Sequence, residues 1–422
     1  MKDTGREIYI TGVGPVTSIG VGAEQLWASL KAGRTRVGLR TLPVDLALTA
    51  EMPLASMPAV SEIDGLARHL AFLEEQDCPG YRDLAYALLA IETALADAKL
   101  EFDPEDNTIG VIQAFEAAGV ERTVGRLFEM MGMPLPSDGP PRVYEFLAPY
   151  FYNSQPFLYV HLVGKAFRFH GFSTSVHNAC SSGAFAIETA AQHIRSGRAE
   201  VMVVAGAEAF DTAVRLEWFR RLDLYARDGV MRPFDANPSG FYVGEGGAAI
   251  VLESAAHAQH RGATPYGRYV GGAFAQQGWK QTIPDVRSAR LRDVIIQALS
   301  AGGTTPEGVD LVVPHGAATL LSDGYEAACV EQALTGRTSG AVATVFKPSV
   351  GHMLAASGIV ETVCALLALK HQAVPPAPHA RPDAVKFPLP IAAEFLERPI
   401  ERVLKLSTGF TGHDAASLFA RT

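Results

Sequence analysis

Cys180 stands where a nucleophile is expected, between a strand-like segment that begins at Ser173 and a long helical pattern. The residues after it, as far as Ser196, carry alanine and isoleucine at a spacing of about 3.6, which predicts a helix that begins near Ser181 and Ser182. The positive end of a helix favours a thiolate, so we expect a lowered pKa for this cysteine. The alternative is an inert thiol, because a free cysteine often packs as a small buried hydrophobe.

Two histidines each follow a hydrophobic run, at the expected edge of a buried strand. His315 ends the run 309–315, and His352 ends the run 342–352. One thiolate and two imidazoles suit acyl-thioester chemistry. Because no spacing rule brings these residues together in space, the interpretation depends on all three side chains lining one cavity.

Four blocks, in the same order along the chain, resemble the β-ketoacyl-acyl carrier protein synthases, the elongating condensing enzymes of the thiolase superfamily. The blocks are His177-Asn-Ala-Cys-Ser-Ser-Gly183, Arg232-Pro-Phe-Asp-Ala-Asn237 with Gly240-Phe-Tyr-Val-Gly-Glu-Gly246, the run that ends in His315, and Lys347-Pro-Ser-Val-Gly-His352. A fifth block, Gly409-Phe-Thr-Gly-His-Asp-Ala415, matches the family's closing glycine-rich loop less fully. The resemblance implies an α/β protein of thiolase fold, with duplicated α/β halves that form a five-layered αβαβα body.

The resemblance also implies a reaction, the decarboxylative Claisen condensation of a cysteine-bound acyl chain with malonyl-acyl carrier protein in fatty acid or type II polyketide synthesis. Cys180 would take the acyl chain, and its backbone N–H with that of Phe410 would form the oxyanion hole. Phe410 would also act as a gate. His315 and His352 would hold the thioester oxygen as negative charge develops on it.

Supporting roles follow from the same resemblance. Lys347 would act electrostatically, orienting a histidine or the malonyl carboxylate, with Glu326 as its expected partner. The alternative is an ordinary surface pair of lysine and glutamate. Thr319 is kept from the family's pattern beside the first histidine.

Two of the matching loops depart from the family's pattern. Where the family carries His-Gly-Thr-Gly-Thr, this chain has His315-Gly-Ala-Ala-Thr319, which loses one hydroxyl and one glycine. The last loop reads Gly-Phe-Thr-Gly, so a β-branched Thr411 stands where glycine would tolerate unusual backbone angles.

The segment 132–171 is rich in proline and aromatic residues. It contains Pro134, Pro136, Pro140, Pro141, Tyr144, Phe146, Tyr150, Phe151, Tyr152, Phe157, Tyr159, Phe167 and Phe169. In condensing enzymes this region contributes to the acyl pocket and the dimer interface. One hypothesis is a reshaped pocket for an unusual primer or a rigid, unsaturated chain, since flat rings pack well against flat substrates. The alternative is that these rings are ordinary core and interface.

Charge and cysteine usage limit the partners and cofactors. A net charge of −9 argues against nucleic-acid binding. Acyl carrier proteins are acidic, so a local basic patch is expected, and the alternative is a solvated helix face. The candidate arginines are Arg215, Arg220, Arg221 and Arg227. The four cysteines form no close pair typical of a metal site, and no cofactor is expected because the phosphopantetheine arrives on the carrier protein.

The composition, 48% hydrophobic and 19% charged over 422 residues, allows a large core. No apolar run reaches the roughly 18 residues that a membrane span needs, and no signal peptide is expected at the start. The few cysteines fit a reducing cytoplasm. A polar segment at 257–265, with the resemblance, divides the chain into an N-terminal thiolase-like half (1–258) with the nucleophile and the aromatic-rich insertion, and a C-terminal half (259–422) with both histidines.

Alternating strand and helix patterns predict α/β layers. Strands are predicted at 7–13, 109–114, 174–177, 201–206, 248–253, 266–271, 311–314, 341–346 and 403–408. Helices are predicted at 83–99, 289–301, 323–333 and 351–370.

Two other functions compete with elongation. In the first, a ketosynthase-like acyltransferase loads Cys180, but the altered His315 loop does not support decarboxylation. In the second, the chain is a chain-length-determining partner subunit of a type II polyketide system. Cys180 and both histidines argue against that role, since such partners usually lack the nucleophile. Both a homodimer and a heterodimer with a ketosynthase-like subunit stay open.

Overall fold

The structure, a computed structural model, describes residues 5–45, 47–117, 119–132, 152–153, 155–334, 340–381 and 384–422. Part of the proline- and aromatic-rich segment lies outside these ranges. The residues concerned are Pro134, Pro136, Pro140, Pro141, Tyr144, Phe146, Tyr150 and Phe151.

In the described residues the central sheet has eleven strands, of which the short Gly20–Val21 pairs only with the first, and the other ten divide into two groups of five along the chain. The first group is β1 Ile8–Thr17, β2 Gly110–Ala114, β3 Ser173–Val176, β4 Val201–Glu208 and β5 Gly246–Ser254. The second group is β6 Gly267–Gln276, β7 Leu311–Val313, β8 Val342–Ala343, β9 Arg402–Gly409 and β10 His413–Ala420.

The two groups have the same topology. Their spatial orders are β3-β2-β4-β5-β1 and β8-β7-β9-β10-β6, which is the order 3-2-4-5-1 in both. The first three strands in each spatial order pair in parallel, and the remaining pairs are antiparallel. The halves join where β1 pairs antiparallel with β6, with Ile8 opposite Tyr269 and Ile10 opposite Gly267. The duplication that is invisible as sequence repetition is therefore explicit in the strand order.

The two halves of the sheet are two layers of the body, and helices make the other three. The main helices are α1 Arg82–Ala98, α2 Ser182–Arg195, α3 Arg290–Ala301, α4 Leu320–Leu334 and α5 Ser357–His371. Helix α1 covers the outer face of the first half, α3 covers the outer face of the second, and α4 packs on α3. Helices α2 and α5 lie between the halves, and α5 contacts strands of both. Three hydrophobic clusters fill the gaps between these layers, as expected of the five-layered αβαβα body.

Shorter elements decorate this body. The other helices are Ala23–Lys31, Leu66–Glu75, Val120–Met131, Pro156–Phe167, Val214–Arg221, Ala255–His260 and Lys347–Val350, with 3₁₀ turns at Val60–Glu62, Pro306–Gly308, Leu354–Ala356 and Phe410–Gly412. The minor strands are Gly20–Val21, Gly38–Pro43, Thr49–Ala55, Val243–Gly244, Ala373–Val374 and Leu396–Glu397.

The middle layer is tightly packed because α2 and α5 meet at two glycines. A Cβ on Gly183 would lie 2.7 Å from the backbone nitrogen of Ile359, and one on Gly358 would lie 3.0 Å from that of Ala184. Helix α5 is apolar on all sides, which is typical of a buried helix, and its residues from Ser357 to Leu369 are buried. In the described ranges, the stretch Leu354–His371 is the one helix long and apolar enough to cross a membrane, but 89% of it is buried, as in a core helix.

Most predicted elements are present, and two predictions are wrong. The predicted strand 341–346 is only Val342–Ala343, because the chain then turns into the short helix Lys347–Val350. Strand β10 was not predicted, since its small residues carry little of the alternating or β-branched pattern that marks a strand. Strand β5 ends at Ser254 and β6 begins at Gly267, so the chain passes from one half to the other between them.

Candidate active site

Cys180 lies in a tight turn between β3 and α2. The N–H of Ser181 donates to the carbonyl of Asn178 at 3.1 Å, and that of Ser182 donates to the carbonyl of Ala179 at 3.0 Å. Ala179 has a positive φ of 49°, a strained conformation for a residue with a Cβ. Helix α2 begins at Ser182, so the predicted helix start is confirmed.

Cys180, His315 and His352 line one cavity of about 280 Å³, hereafter the Cys180 cavity. The centroids of the two imidazole rings are 5.4 Å apart, with their planes at 79°. All three side chains are buried from bulk solvent. The structure therefore brings together the thiol and the two histidines on which the interpretation depends.

Cys180 and His352 occupy matching positions in the two halves. Each follows the third strand of its half, and each precedes the middle-layer helix of that half, α2 or α5. His315 follows β7, the second strand of the C-terminal half. The cavity consequently lies where the halves meet, and both contribute to it.

Lys347 is fully buried and supports His315 from behind. Its ammonium donates to the His315 carbonyl at 2.6 Å and lies 3.3 Å from Nδ1 of the same residue, and its remaining proton goes to the carboxylate of Glu361. An ammonium has three protons to donate, so these contacts use all of them. The ammonium of Lys347 can only donate, so Nδ1 of His315 must accept the hydrogen bond between them. The ring proton of the neutral His315 is therefore on Nε2.

The expected pairing of Lys347 with Glu326 is wrong. Glu326, from α4, instead accepts hydrogen bonds from the backbone N–H groups of His315 at 2.6 Å and Gly316 at 2.9 Å. These bonds hold the His315 loop, so Glu326 supports the site through the backbone. Thr319 lines the cavity, as the kept motif suggested.

Glu361 is the partner that the sequence reading missed. It lies in α5, pairs with Lys347, and its other oxygen is 2.6 Å from Nζ of Lys405 on β9. A single glutamate inside the apolar run 351–370 was a signal for it, because a carboxylate is buried in a core helix only when it is paired.

Both histidines are neutral near pH 7. Burial, and then the positive charge of Lys347, lowers the pKa of His352 well below its usual range. The same two causes, in the same order, lower the pKa of His315. Nδ1 of His352 lies 2.8 Å from the hydroxyl of Ser357, so its Nε2 is the nitrogen left for the cavity.

The expected low pKa of Cys180 is wrong. Burial raises the pKa of this thiol, and the charge of Glu116 raises it further, whereas Lys347 and the N–H of Phe410 lower it by less. Desolvation thus outweighs the helix end that the sequence suggested. The resting group is a thiol that has to lose its proton during the reaction.

Phe410 belongs to a loop that approaches the cysteine turn. Its backbone N–H faces the sulfur of Cys180. A Cβ on the preceding Gly409 would lie 3.3 Å from the backbone nitrogen of Cys180, so the two loops are in close contact. The Phe410 ring lines the cavity and packs against Phe219 and Trp218, with centroid distances of 6.1 and 5.9 Å.

Family comparison assigns nearly the whole chain. The model of the beta-ketoacyl synthase N-terminal domain matches residues 5–258, and that of the beta-ketoacyl synthase C-terminal domain matches residues 266–381. The chain belongs to the β-ketoacyl synthase family. It is therefore a condensing ketosynthase of the acyltransferase class, which confirms the resemblance read from the motifs.

Relatives of known name support the assignment over the full length. The chain is 29% identical to a 3-oxoacyl-[acyl-carrier-protein] synthase 2 of Rhizobium meliloti, with 99% of both chains covered. It is 27% identical to the oxytetracycline polyketide putative beta-ketoacyl synthase 1 of Streptomyces rimosus, with 97% of this chain and 96% of the relative covered.

Solved structures share the fold. A beta-ketoacyl synthase from Burkholderia phymatum matches with a TM-score of 0.82 at 25% identity, covering 99% of this chain and 100% of that one. The ishigamide ketosynthase/chain length factor matches with a TM-score of 0.83 at 23% identity, covering 99% of both chains. These neighbours are ketosynthases, and the expected thiolase fold is confirmed.

The two departures from the ketosynthase pattern both place a side chain on a left-handed backbone. Thr411 has φ 62°, and Ala318 has φ 58°. Both replace glycines of the family's pattern, and glycine adopts such angles without a steric penalty. Thr411 therefore keeps the backbone angle that a glycine at this position would adopt, although it carries a β-branched side chain.

The four arginines proposed for carrier binding do not form one patch. Arg215 is only partly exposed, at 17% of its side chain, and its guanidinium is bound to Glu121 at 2.7 Å and to Glu208 at 3.3 Å, so its place in a surface patch is wrong. Arg220, Arg221 and Arg227 are exposed. Arg215 lies in the first turn of the helix Val214–Arg221, on the side that faces the core.

The described rings of the aromatic-rich segment do not line the Cys180 cavity. Tyr159 is buried and donates to Asp83 at 3.0 Å, whereas Tyr152 and Phe157 are exposed and pack on each other. Within the described residues these rings are core or surface. Among those residues, too, no group of three or more His, Cys, Asp or Glu side chains could hold a metal ion.

Proposed function

We propose that the chain catalyses decarboxylative Claisen condensation between an acyl chain on Cys180 and malonyl-acyl carrier protein. The observation that carries this proposal is the single cavity lined by one thiol and two neutral imidazoles. A thioester placed there can reach all three groups. Fatty acid and polyketide synthesis are both compatible with this reaction, since relatives of both kinds cover the whole chain.

In the first half-reaction, the sulfur of Cys180 attacks the carbonyl carbon of the acyl-carrier thioester. The thiol proton passes to a neutral imidazole and then to the departing carrier thiol, so the net proton count does not change. The backbone N–H of Phe410, with that of Cys180, would stabilise the negative oxygen of the tetrahedral intermediate. Removing one donor of such a pair typically costs about 3 kcal/mol.

In the second half-reaction, the malonyl thioester loses carbon dioxide, and the electron pair of the broken bond forms an enolate. The Nε2–H of His315 would donate to the enolate oxygen, because Lys347 fixes the proton on that nitrogen. His352 would supply a second donor when Ser357 donates to its Nδ1. The enolate carbon then attacks the acyl-cysteine and expels the Cys180 thiolate, which takes up one proton from water, the proton that this half-reaction consumes as the carboxylate leaves as carbon dioxide.

We propose an acyl carrier protein as the partner that delivers both substrates, with its phosphopantetheine arm reaching the cavity. One structural neighbour is titled a type II polyketide synthase acyl-carrier protein in complex with its ketosynthase bound to a hexaketide. A dimer, either of this chain or with a ketosynthase-like subunit, fits the same relatives. A cytoplasmic location is consistent with the free state of Cys78, Cys180, Cys329 and Cys364.

Intact mass measurement after incubation with acyl carrier and malonyl carrier tests the proposal. We expect an acyl adduct on Cys180 that disappears as malonyl carrier is consumed, together with release of carbon dioxide and formation of β-ketoacyl carrier. The Cys180→Ala variant should form no adduct, whereas Cys329→Ala, a change of the same type away from the cavity, should load normally.

Two outcomes would contradict elongation. An adduct without carbon dioxide release would favour the acyltransferase without elongation. No adduct at all, with either saturated or oxidised acyl chains, would favour a chain-length-determining partner.

A further inference from the structure

Glu116 places a carboxyl group in the Cys180 cavity, where the motifs gave no reason to expect one. It lies two residues beyond β2 and lines the cavity together with the cysteine. In the described part of the chain, its Oε2 is buried and has no hydrogen-bond partner. Burial, and then the nearby Glu116, raises the pKa of the Cys180 thiol, so the two side chains lie within electrostatic reach of each other. A carboxyl group therefore faces the space next to the reacting sulfur.

The groups behind Glu116 do not satisfy it. The guanidinium of Arg215 is already bound to Glu121 and to Glu208. Oε1 of Glu208 and Nη1 of Arg215 are also buried without partners among the described residues. Three buried polar atoms thus lack partners in one cluster, a number that native cores rarely leave without a functional reason.

When protonated, the carboxyl of Glu116 is a hydrogen-bond donor as well as an acceptor, and burial shifts it towards that form. Arg215 carries a single positive charge and already pairs with Glu121, while burial raises the pKa of Glu208 to about 8, so Glu116 is a third acidic group around one cation. Burial raises the pKa of Glu116, and Arg215 offsets this only in part. A protonated carboxyl offers one O–H donor and keeps its acceptor capacity, which suits a neutral oxygen.

A hydrocarbon chain is a poor neighbour for such a group. If a saturated acyl chain fills the space beside Glu116, it excludes water and leaves the carboxyl unpaired, which disfavours that chain. An acyl chain with a carbonyl or hydroxyl oxygen at that point instead accepts a hydrogen bond from the O–H of Glu116. A hydroxyl can also donate one to the carboxyl. The difference favours oxygenated chains by about tenfold or more, since 1.4 kcal/mol is one factor of ten.

We propose that Glu116 forms a polar subsite that selects acyl chains bearing a carbonyl or hydroxyl oxygen over fully reduced chains. The proposal rests on the proposed function, because it assumes that the acyl chain of the Cys180 thioester passes through this cavity. It assigns to this ketosynthase a substrate that has kept oxygen from an earlier condensation. The class of reaction that supplies it is therefore condensation without complete reduction.

The test compares simple thioesters, which remove carrier docking from the comparison. Hexanoyl, 3-oxohexanoyl and 5-oxohexanoyl N-acetylcysteamine are offered to the enzyme, and loading of Cys180 is followed by intact mass. We expect one of the two oxo chains to load at least about tenfold faster than hexanoyl. The Glu116→Leu variant should lose this preference, and Glu116→Gln, which keeps a donor and an acceptor, should retain most of it.

A second readout separates this inference from the reaction itself. In a Cys180→Ala background no acylation is possible, and the ratio of Kd values for the oxo and saturated thioesters is measured by calorimetry. We expect the same preference, again removed by Glu116→Leu and unaffected by Glu101→Leu, the same change at an exposed and distant position. A Kd ratio near one, or a stronger preference for 6-aminohexanoyl, would overturn the polar subsite. Absence of loading in the intact enzyme would instead count against the proposed function, and the Kd ratio would still decide this inference.

Discussion

At the scale of single residues, the site is defined by the protonation states that burial imposes. Cys180 is held as a thiol, and His315 and His352 are held neutral, because charged forms are disfavoured away from water. A neutral imidazole can accept the thiol proton in one half-reaction and donate a hydrogen bond in the other. Lys347 keeps its charge out of the cavity and fixes the tautomer of His315.

The first prediction concerns the pH dependence of Cys180 reactivity. Because burial raises the pKa of this thiol, its thiolate fraction should increase about tenfold for each pH unit, with no plateau between about pH 6 and pH 9. The measurement is the rate of iodoacetamide alkylation, with the labelled peptide identified by mass and Cys180→Ala as the control. A plateau below about pH 8 would show that the helix end dominates after all.

The motifs identified the reacting residues, and physical context decided the rest. Cys180, His315 and His352 were readable because their neighbours match a family block by block. The role of Glu361 was harder to predict, since the sequence shows a glutamate in an apolar helix but does not show which residue it pairs with. Arg215 was wrongly predicted to lie in the carrier-binding patch because three similar arginines follow it. Only the packing of its helix shows that it faces the core. Glu116 follows no motif, so its position in the cavity required coordinates.

At the scale of elements, short segments with unusual backbone angles shape the cavity wall. The Phe410 loop passes through a left-handed residue, Thr411, whose N–H donates to the carbonyl of Gln281 at 2.6 Å and whose hydroxyl donates to that of Phe410 at 2.6 Å. These bonds offset part of the cost of placing a β-branched residue there. The loop is thus fixed from two sides, where a glycine would leave it freer.

The second prediction is that Thr411→Gly stabilises the protein. A left-handed conformation costs a residue with a Cβ about 1–2 kcal/mol, and the added freedom of glycine in the unfolded chain returns about 0.5–1 kcal/mol of this. We expect the free energy of unfolding, measured in urea, to rise by about 0.5–1 kcal/mol. Thr411→Ala should gain less, because it keeps the Cβ. A loss of stability in the glycine variant would show that the hydroxyl hydrogen bond outweighs the strain, since the backbone bond to Gln281 is kept in both proteins.

The third prediction separates the two ends of the helix Val214–Arg221. Reversing the charges of the exposed Arg220 and Arg221 to glutamate should raise KM for an acidic carrier about tenfold at low salt, and this difference should shrink near about 0.3 M salt. Steady-state kinetics with the carrier as varied substrate measures it. An unchanged KM would remove these arginines from the carrier surface.

The matched control is the arginine of the same helix that faces the core. Arg215→Ala leaves Glu121 and Glu208 without their positive partner, so it should lower the free energy of unfolding by about 3–5 kcal/mol. Its effect should therefore be visible in denaturation rather than in the salt dependence of KM.

At the scale of the whole molecule, the middle layer connects both halves to the site. Glu361 on α5 pairs with Lys347 beneath His315 and with Lys405 on β9, so one carboxylate links the helix, a catalytic loop and the second half of the sheet. The sequence predicted most strands and helices of this body, because their patterns are long and apolar. The duplication of the halves was expected from the family resemblance alone, because it is not visible as sequence repetition, and the shared strand order became explicit only in the structure.

The fourth prediction tests how much this buried ion cluster contributes to the free energy of unfolding. Glu361→Gln leaves two buried lysines without a carboxylate, so we expect a loss of about 3–5 kcal/mol in the free energy of unfolding. Glu401→Gln, which breaks the exposed pair with Arg421, should cost no more than about 1 kcal/mol. Equal effects in chemical denaturation would contradict a structural role for the buried cluster.

The position of Cys180 and His352 on opposite sides of the junction between β1 and β6 has a consequence for biosynthesis. A ribosome releases the thiol-bearing half before the histidine-bearing half has been translated. Until the second half docks, the nascent sulfur has neither imidazole nor the Phe410 loop beside it, since His315, His352 and Phe410 all follow Cys180 in the chain. The complete set of reacting groups therefore assembles only when the second half has folded against the first.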